Sequence, residues 1–245
     1  MTAWEYRRQG RNALQGRWGT GIAICLIAAL FMGGLIPVAG GSTGGAQLGL
    51  QEVAQVNSVF RMMTVIGIAM MLAALVFGGV AEIGKAGCFL RMSEGLPVQV
   101  RRIFDHFHRV GAGMGLYWLR MLLLLVWMLP GLAVSTGGML LTMNPEAVFP
   151  VVLGSVLSMG LGLMASFRYA MAPYLMAVDE TLGPWAALKL SKERMHGWKW
   201  RLFCLKLSFL GWTLLCLVTY GIGSLWLQPY IAAAEACFFR DRMQE

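Results

Sequence analysis

The chain has 245 residues, of which 58% are hydrophobic and only 13% are charged. Soluble domains carry about 25% charged residues, so this chain has too little polar surface to fold as one soluble domain. The net charge of +8 does not indicate a nucleic-acid partner, because most Lys and Arg residues lie in short segments beside apolar runs. Cations in those positions orient membrane spans and contact anionic headgroups. The composition therefore predicts an integral membrane protein.

Six apolar runs approach the ~20 residues that a helix needs to cross a bilayer core. They lack the two-residue alternation of a barrel strand, so the spans are predicted to be helices. The predicted fold is all-α: one polytopic transmembrane helical bundle of about six spans, covering residues 1–245. Pro130-Gly131 is expected to disrupt the end of the third span, and the short sixth span contains Pro229. The predicted spans are 19–39, 62–84, 111–132, 150–172, 202–221 and 224–239.

Three segments outside these spans are basic and amphipathic, which is typical of helices that lie in the membrane surface. Residues 2–18 form a weakly amphipathic lead-in, and residues 97–110 and 181–196 are predicted to be two short interfacial helices. Their apolar faces consist of Val100, Ile103, Phe104 and Phe107 in the first helix, and of Trp185, Leu188 and Met195 in the second.

The fourth predicted span has a small residue at every fourth position: Gly154, Ser158, Gly162 and Ser166. Small residues at this spacing form one helix face and let another helix approach closely. The pattern predicts tight helix packing along that face.

Basic residues are distributed unevenly among the connecting segments. They concentrate before the first span, between spans two and three, between spans four and five, and after span six. The opposite loops contain only Arg61. By the positive-inside rule, both termini are predicted to lie on the cytoplasmic side of the membrane.

The candidate ionisable residues inside predicted spans are Glu82, Arg120, Lys206 and Glu235. Such residues are costly in lipid and are by default candidates for function. A polar interior lined by them would pass ions, hold a lipid headgroup or bind a substrate. The favoured alternative is structural: Arg120 pairs with Glu82 or Glu235 to hold the bundle together, or Lys206 extends to the nearby interface.

Cations of the two interfacial helices and the segment after them are candidate contacts for lipid headgroups or a cytoplasmic partner protein. The simpler alternative is that these residues only anchor loops at the membrane surface. The candidates are Arg101, Arg102, Arg109, Lys192, Lys199 and Arg201.

No catalytic constellation is recognised in the sequence: it contains no H-E-x-x-H and no P-loop. His106 and His108 do not share a helix face, and two ligands fall short of a zinc site. The five cysteines form no C-x-x-C pair. We therefore expect no enzymatic activity, no bound metal and no cofactor.

The C-terminal third carries a specific pattern. It runs from Ser191-Lys192 through Gly197-Trp198, Gly211-Trp212, Leu225-Trp226 and Pro229-Tyr230 to Phe238-Phe239, with Gly16-Arg-Trp18, Pro130-Gly131 and Arg168-Tyr169 upstream. These elements resemble a bacterial membrane-protein family that is catalogued only as domain of unknown function nine hundred and seventy-five. The resemblance implies a bacterial inner-membrane location and no established reaction, substrate or cofactor.

Two functions remain open from the sequence. The leading hypothesis is a non-enzymatic envelope module that binds membrane lipids or partner proteins, based on its small-residue faces and basic surface helices. The alternative is an oligomeric channel or transporter that uses the ionisable residues inside spans as a polar pathway. The expected partners are membrane lipids and either a second copy of the chain or another membrane protein.

Overall fold

A computed structural model of the protein describes residues 2–32, 50–142, 148–219 and 221–244, and every regular element among them is a helix. The all-α fold class is therefore confirmed for the described part. The last third of the first predicted span, from residue 33, lies outside the described residues. In chain order the helices are α1 (Ala3–Ala13), α2 (Trp18–Phe31), α3 (Leu50–Ser93), a 3₁₀ helix (Val100–Arg109), α4 (Val110–Thr142), α5 (Val148–Arg168), α6 (Ala172–Val178), α7 (Pro184–Arg194), α8 (Lys199–Leu207), α9 (Leu210–Val218) and α10 (Ser224–Gln244).

Three segments of the described chain are long and apolar enough to cross a membrane: Val65–Ser93, Val100–Gly138 and Phe149–Val178. The helices α1 and α2 make a fourth if they are counted as one span that bends by 102°. These segments correspond to the first four predicted spans. The fifth and sixth predicted spans are not among them, so the described residues show three or four candidate spans rather than six.

The predicted fifth span is not one continuous helix. The helices α8 and α9 have nine residues each, and nine residues extend only about 13 Å at 1.5 Å per residue. The chain leaves the helical path at Ser208, whose hydroxyl donates to the Leu205 carbonyl 2.6 Å away, a local bond that competes with helix continuation. The next residue, Phe209, is buried with its ring centroid 5.0 Å from that of Tyr230.

Helix α10 replaces the short sixth span and extends to Gln244, with Pro229 inside it. It packs against α1, α2 and α3 and is buried along most of its length. Small side chains make this close packing possible, since a Cβ atom at Gly10 of α1 would overlap the backbone of Ala234. One turn away, the rings of Tyr6 and Phe238 meet edge to face at 5.3 Å. The main hydrophobic core therefore surrounds α10.

The third predicted span continues beyond Pro130-Gly131, contrary to the expectation that these residues disrupt its end. Helix α4 includes Pro130 and reaches Thr142. Proline removes one hydrogen bond from a helix, but α5 packs directly against this turn. A Cβ atom at Gly131 would overlap Ser158, and one at Gly154 would overlap the Gly131 carbonyl. The small-residue face of α5 thus forms the predicted close contact, and that contact supports the helix through the proline.

Helix α3 also extends past its predicted end at residue 84. No helix-breaking residue follows until Gly95, which has a positive φ of 80°. Gly84 and Gly87 remain inside the helix and admit close neighbours, because Cβ atoms there would meet Ile103 and Ala177 respectively. The extra turns bring Lys85 within α3.

Both segments predicted to be interfacial form helices, and the first of them is continuous with the candidate span Val100–Gly138. Residues 100–109 form a 3₁₀ helix rather than an α-helix, and its three residues per turn rotate side chains away from the predicted face. Ile103 is consequently buried whereas Phe104 is exposed. The second helix is α7, in which Leu188 is buried and Trp185 is exposed.

Candidate functional site

Two oppositely charged pairs join four different helices, and of their four side chains that of Lys206 is the most exposed. Arg120 of α4 donates to Glu82 of α3, with 2.5 Å between Nη1 and Oε1. The ammonium of Lys206 on α8 lies 3.0 Å from Oε1 of Glu235 on α10. An opposite charge at this distance offsets part of the cost of removing each group from water. The structure thus places Arg120 beside Glu82 rather than Glu235, and gives Lys206 a partner within the bundle.

Both pairs line one cavity of about 130 Å³. Ser166 of α5, Tyr174 of α6 and Lys85 of α3 add further polar groups to its wall. A water molecule occupies about 30 Å³ in the liquid, so the cavity has room for several. Four residues that are far apart in the sequence and that fall inside predicted spans therefore share one polar chamber.

Two further cavities, of about 300 and 470 Å³, share lining residues with this chamber. Lys85 lines all three cavities, and Gln228 of α10 lines the two larger ones. We call this connected space the α10 crevice and define it by Lys85, Lys206, Ser224, Gln228 and Glu235. It follows α10 from the paired charges to the beginning of the helix.

Lys85 is the functional candidate that sequence reasoning missed. Ending the second span at residue 84 assigned Lys85 to the basic segment outside the membrane. No ion pair joins it to any residue that the structure describes, so the crevice carries an uncompensated positive charge. The available signal was the absence of a helix breaker before Gly95, together with the one-turn spacing of Glu82 and Lys85.

The six predicted headgroup contacts are not gathered into one site. Arg109 donates to the Leu182 carbonyl at 3.2 Å, and the Arg201 guanidinium lies 4.2 Å from the ring centroid of Trp198. The side chains of the other four make no hydrogen bond or ion pair with the described residues. These four are Arg101 and Arg102 on the 3₁₀ helix, Lys192 on α7 and Lys199 on α8.

Other arginines connect helix ends to one another. Arg17 donates to the carbonyls of Leu96 at 2.6 Å and Gly95 at 3.1 Å, just past the C-terminus of α3. Arg240 donates to the Ser93 carbonyl at the same end of α3. A cation is favoured there because the last carbonyls of a helix carry partial negative charge. The start of α2, the end of α3 and the last turns of α10 therefore meet at one end of the bundle.

The imidazoles of His106 and His108 both face Glu180, and each Nε2 atom lies 4.0 Å from a carboxylate oxygen. In the part of the chain that the structure describes, no group of three or more His, Cys, Asp or Glu side chains is close enough to hold a metal ion. All five cysteines are free thiols.

The fold and these charged groups define an all-helical protein with several helices long and apolar enough to cross a membrane. The chain belongs to the family described as "Protein of unknown function (DUF975)", which it matches over residues 1–244. This match confirms the family resemblance seen in the sequence. No curated protein and no solved structure matches the chain.

Proposed function

We propose that this protein is a non-enzymatic, multi-pass module of the bacterial cytoplasmic membrane that binds anionic lipid headgroups at its cytoplasmic face. The observation that carries the proposal is the division of the basic residues into two groups. Arg17, Arg109, Arg194 and Arg240 donate to backbone carbonyls. The side chains of Arg101, Arg102, Lys192 and Lys199 make no such bond within the described chain.

The second group is available to lipid phosphate. A cation beside an anionic bilayer contributes about 1 kcal/mol of attraction. Several cations on three short helices would therefore enrich anionic lipid around the protein without forming a closed pocket. Partner proteins with an acidic surface are the alternative occupants, because the same unpaired cations would attract them.

Contacts at one end of the bundle support the proposed orientation. Arg17 and Arg240 both bond to the end of α3, which is consistent with N-terminal and C-terminal segments on one side of the membrane. The density of positive charge there supports a cytoplasmic location for both termini. A C-terminal alkaline phosphatase fusion is expected to be inactive and a C-terminal fluorescent protein fusion to be bright. An active phosphatase would overturn this orientation.

A tag at residues 221–223 then tests the six-span arrangement, which requires the turn between α9 and α10 to face outside.

Lipid selectivity is tested by extracting the protein with its surrounding bilayer into nanodiscs and measuring the retained lipids by native mass spectrometry. Anionic phosphatidylglycerol should be enriched over zwitterionic phosphatidylcholine relative to the bulk membrane. The double variant R101Q/R102Q should reduce this enrichment several-fold, since it removes two cations. Equal retention of both lipids by the natural protein would refute the proposal. The same spectra report whether a second copy or another protein accompanies the chain.

A second candidate function is a polar pathway, and the α10 crevice favours it. The crevice contains charges inside the bundle and one unpaired cation, Lys85, which suits a small anion. The test is chloride efflux from reconstituted liposomes. Lys85→Gln should lower the efflux and leaves no carboxylate without its partner. Neutralising Arg120 instead would leave the carboxylate of Glu82 unpaired. Lys189→Gln, which removes an exposed charge on α7, is the matched control. Efflux no greater than that of protein-free liposomes would exclude the pathway.

A further inference from the structure

A large open groove lies between α1, α9 and α10, with a volume of about 560 Å³. One wall is the face of α1 that carries Arg7, Arg8 and Arg11. The opposite wall is formed largely by Trp212 and Leu215 of α9. Trp226 of α10 contributes a further indole. We call this feature the Trp–Arg groove; it is apolar along most of its surface and cationic on one side.

Helical spacing explains how α1 serves both the core and the groove. Trp4, Arg7, Arg8 and Arg11 follow the i, i+3, i+4, i+7 pattern and therefore share one face of the helix. The opposite face carries Tyr6 and Gly10, which pack on α10. Helix α1 begins with a capping box in which Thr2 and Glu5 bond each other's backbone amides, so its start is fixed. The cationic face is thereby held rigidly towards the groove.

The three arginines of the groove are not neutralised by the protein. Arg7 donates to the Ser208 carbonyl at 3.3 Å and lies 5.1 Å from the ring centroid of Phe209, while its buried Nε–H has no acceptor among the described residues. Arg8 and Arg11 are exposed and make no hydrogen bond or ion pair within the described chain. Among the described residues, no acidic side chain lines the groove. A buried donor without an acceptor is rare in proteins, and a ligand phosphate would supply one.

The remaining lining suits an acyl chain rather than water. Trp4, Trp212, Leu215 and Trp226 are each more than half exposed, although large apolar groups would normally be covered. Tryptophan is enriched where a bilayer meets water, with the indole at the level of the headgroups. A free phosphate ion would use the arginines and leave the apolar wall unoccupied. A phospholipid uses both, since its phosphate is anionic and its chain is apolar.

We propose that the Trp–Arg groove binds one anionic phospholipid, with its phosphate at Arg7, Arg8 and Arg11 and an acyl chain along Trp212, Leu215 and Trp226. This inference rests on the proposed lipid-binding function and adds a defined site. The site differs from the scattered surface cations, because it combines three cations with an apolar channel and therefore retains a single lipid molecule after the surrounding bilayer is removed.

Native mass spectrometry of the full-length protein in mild detergent tests the site after incubation with phosphatidylglycerol. The natural protein should retain one phosphatidylglycerol molecule. The double variant R8Q/R11Q should reduce the retained fraction about tenfold, as expected for losing two cations beside a phosphate. Arg7 is left in place because its hydrogen bond to Ser208 contributes to folding. The matched control R91Q/K189Q removes two exposed cations elsewhere and should retain the lipid fully.

A second variant separates the apolar wall from the charge. Leu215→Trp fills the groove without changing any charge and should also prevent retention of the lipid. Glycerol phosphate, which has no acyl chains, should not bind to the natural protein. If R8Q/R11Q or Leu215→Trp retains as much lipid as the natural protein, the groove is not the site. A second copy of the chain or another protein found in place of the lipid would also overturn the proposal. If the natural protein shows no preference for phosphatidylglycerol even in nanodiscs, the proposed function itself fails.

Discussion

The α4–α5 hairpin and helix α10 differ in which side chains they cover. In the apolar 18-residue stretch of the α4 segment only 6% of the residues are buried, and in that of the α5 segment 11%. Most of the large apolar side chains of these two helices therefore face outward. Helix α10 carries Glu235, Arg240 and Arg242 and is nevertheless enclosed by α1, α2 and α3. In a soluble protein the more apolar helices would form the core.

The difference is the one expected of a helical protein in lipid. Lipid chains are as apolar as leucine, so an outward face such as that of α4 and α5 would need no cover there, and close contact of small residues holds the pair together. Charges such as those of α10 are costly in lipid, and packing among other helices gives them partners. Apolar character therefore marks the outer helices of this protein, and the less apolar α10 forms its centre.

The largest effect is expected where an ion pair joins α4 of the hairpin to α3, which packs against α10. Arg120→Gln leaves the carboxylate of Glu82 buried without a partner and should lower stability by about 3–5 kcal/mol. The double variant E82Q/R120Q removes both charges and should recover most of that loss. Thermal unfolding in detergent micelles compares the two variants. A single variant as stable as the double variant would contradict the role of the pair.

Replacing leucine by alanine should cost much more stability in the core around α10 than on the exposed face of α4. Leu205→Ala empties a position in the core around α10, where Leu205 is fully buried, and should cost about 2–5 kcal/mol. Leu125→Ala on α4 removes a side chain that is 57% exposed, so it should change stability by no more than about 0.5 kcal/mol. Unfolding midpoints in the same detergent measure both. Similar losses at the two positions would remove the distinction between core and lipid face.

Close packing of α4 and α5 predicts a smaller effect. Gly154→Ala places a Cβ atom against the backbone of Gly131 and Ser135, which should cost about 1–3 kcal/mol through displaced helices. Gly160 lies on the same helix with nothing within 4 Å of its Cβ position. Gly160→Ala should therefore be neutral or stabilise by up to about 1 kcal/mol, because alanine is the better helix former. If both variants behave alike, the small-residue face is not the contact.

The smallest effect is expected in the turn outside both regions. Asp179 accepts hydrogen bonds from the hydroxyl and the amide of Thr181, and these bonds lower the pKa of the carboxyl below its ordinary value of 3.8. Because the pKa of Asp179 is lowered, the stabilisation from these bonds is fully present above the ordinary pKa of 3.8. It is lost only as the pH falls through the lowered pKa. Asp179→Asn should accelerate hydrogen exchange at the Thr181 amide a few-fold at neutral pH. Glu180→Gln, which removes the neighbouring charge, should leave that exchange unchanged.

The sequence alone determined the features that depend on local composition and spacing. Apolar runs and low charge predicted an all-helical chain with helices long and apolar enough to cross a membrane, because the backbone must satisfy its own hydrogen bonds in lipid. The i, i+4 spacing of Gly154 and Ser158 indicated a close helix contact. The cost of charge in lipid singled out Glu82, Arg120, Lys206 and Glu235 before any contact between them was visible.

Only the tertiary structure decided which of these elements meet. The helix continues through Pro130 because α5 supports that turn, and the chain breaks at Ser208 because Phe209 packs inward against Tyr230. Neither neighbour is adjacent in sequence, so local spacing carries no information about them. The same holds for Lys85, which joins the crevice only through packing of α3 against α10, and for the arginines of α1, which face α9. Such contacts depend on residues far apart along the chain, and folding alone brings them together.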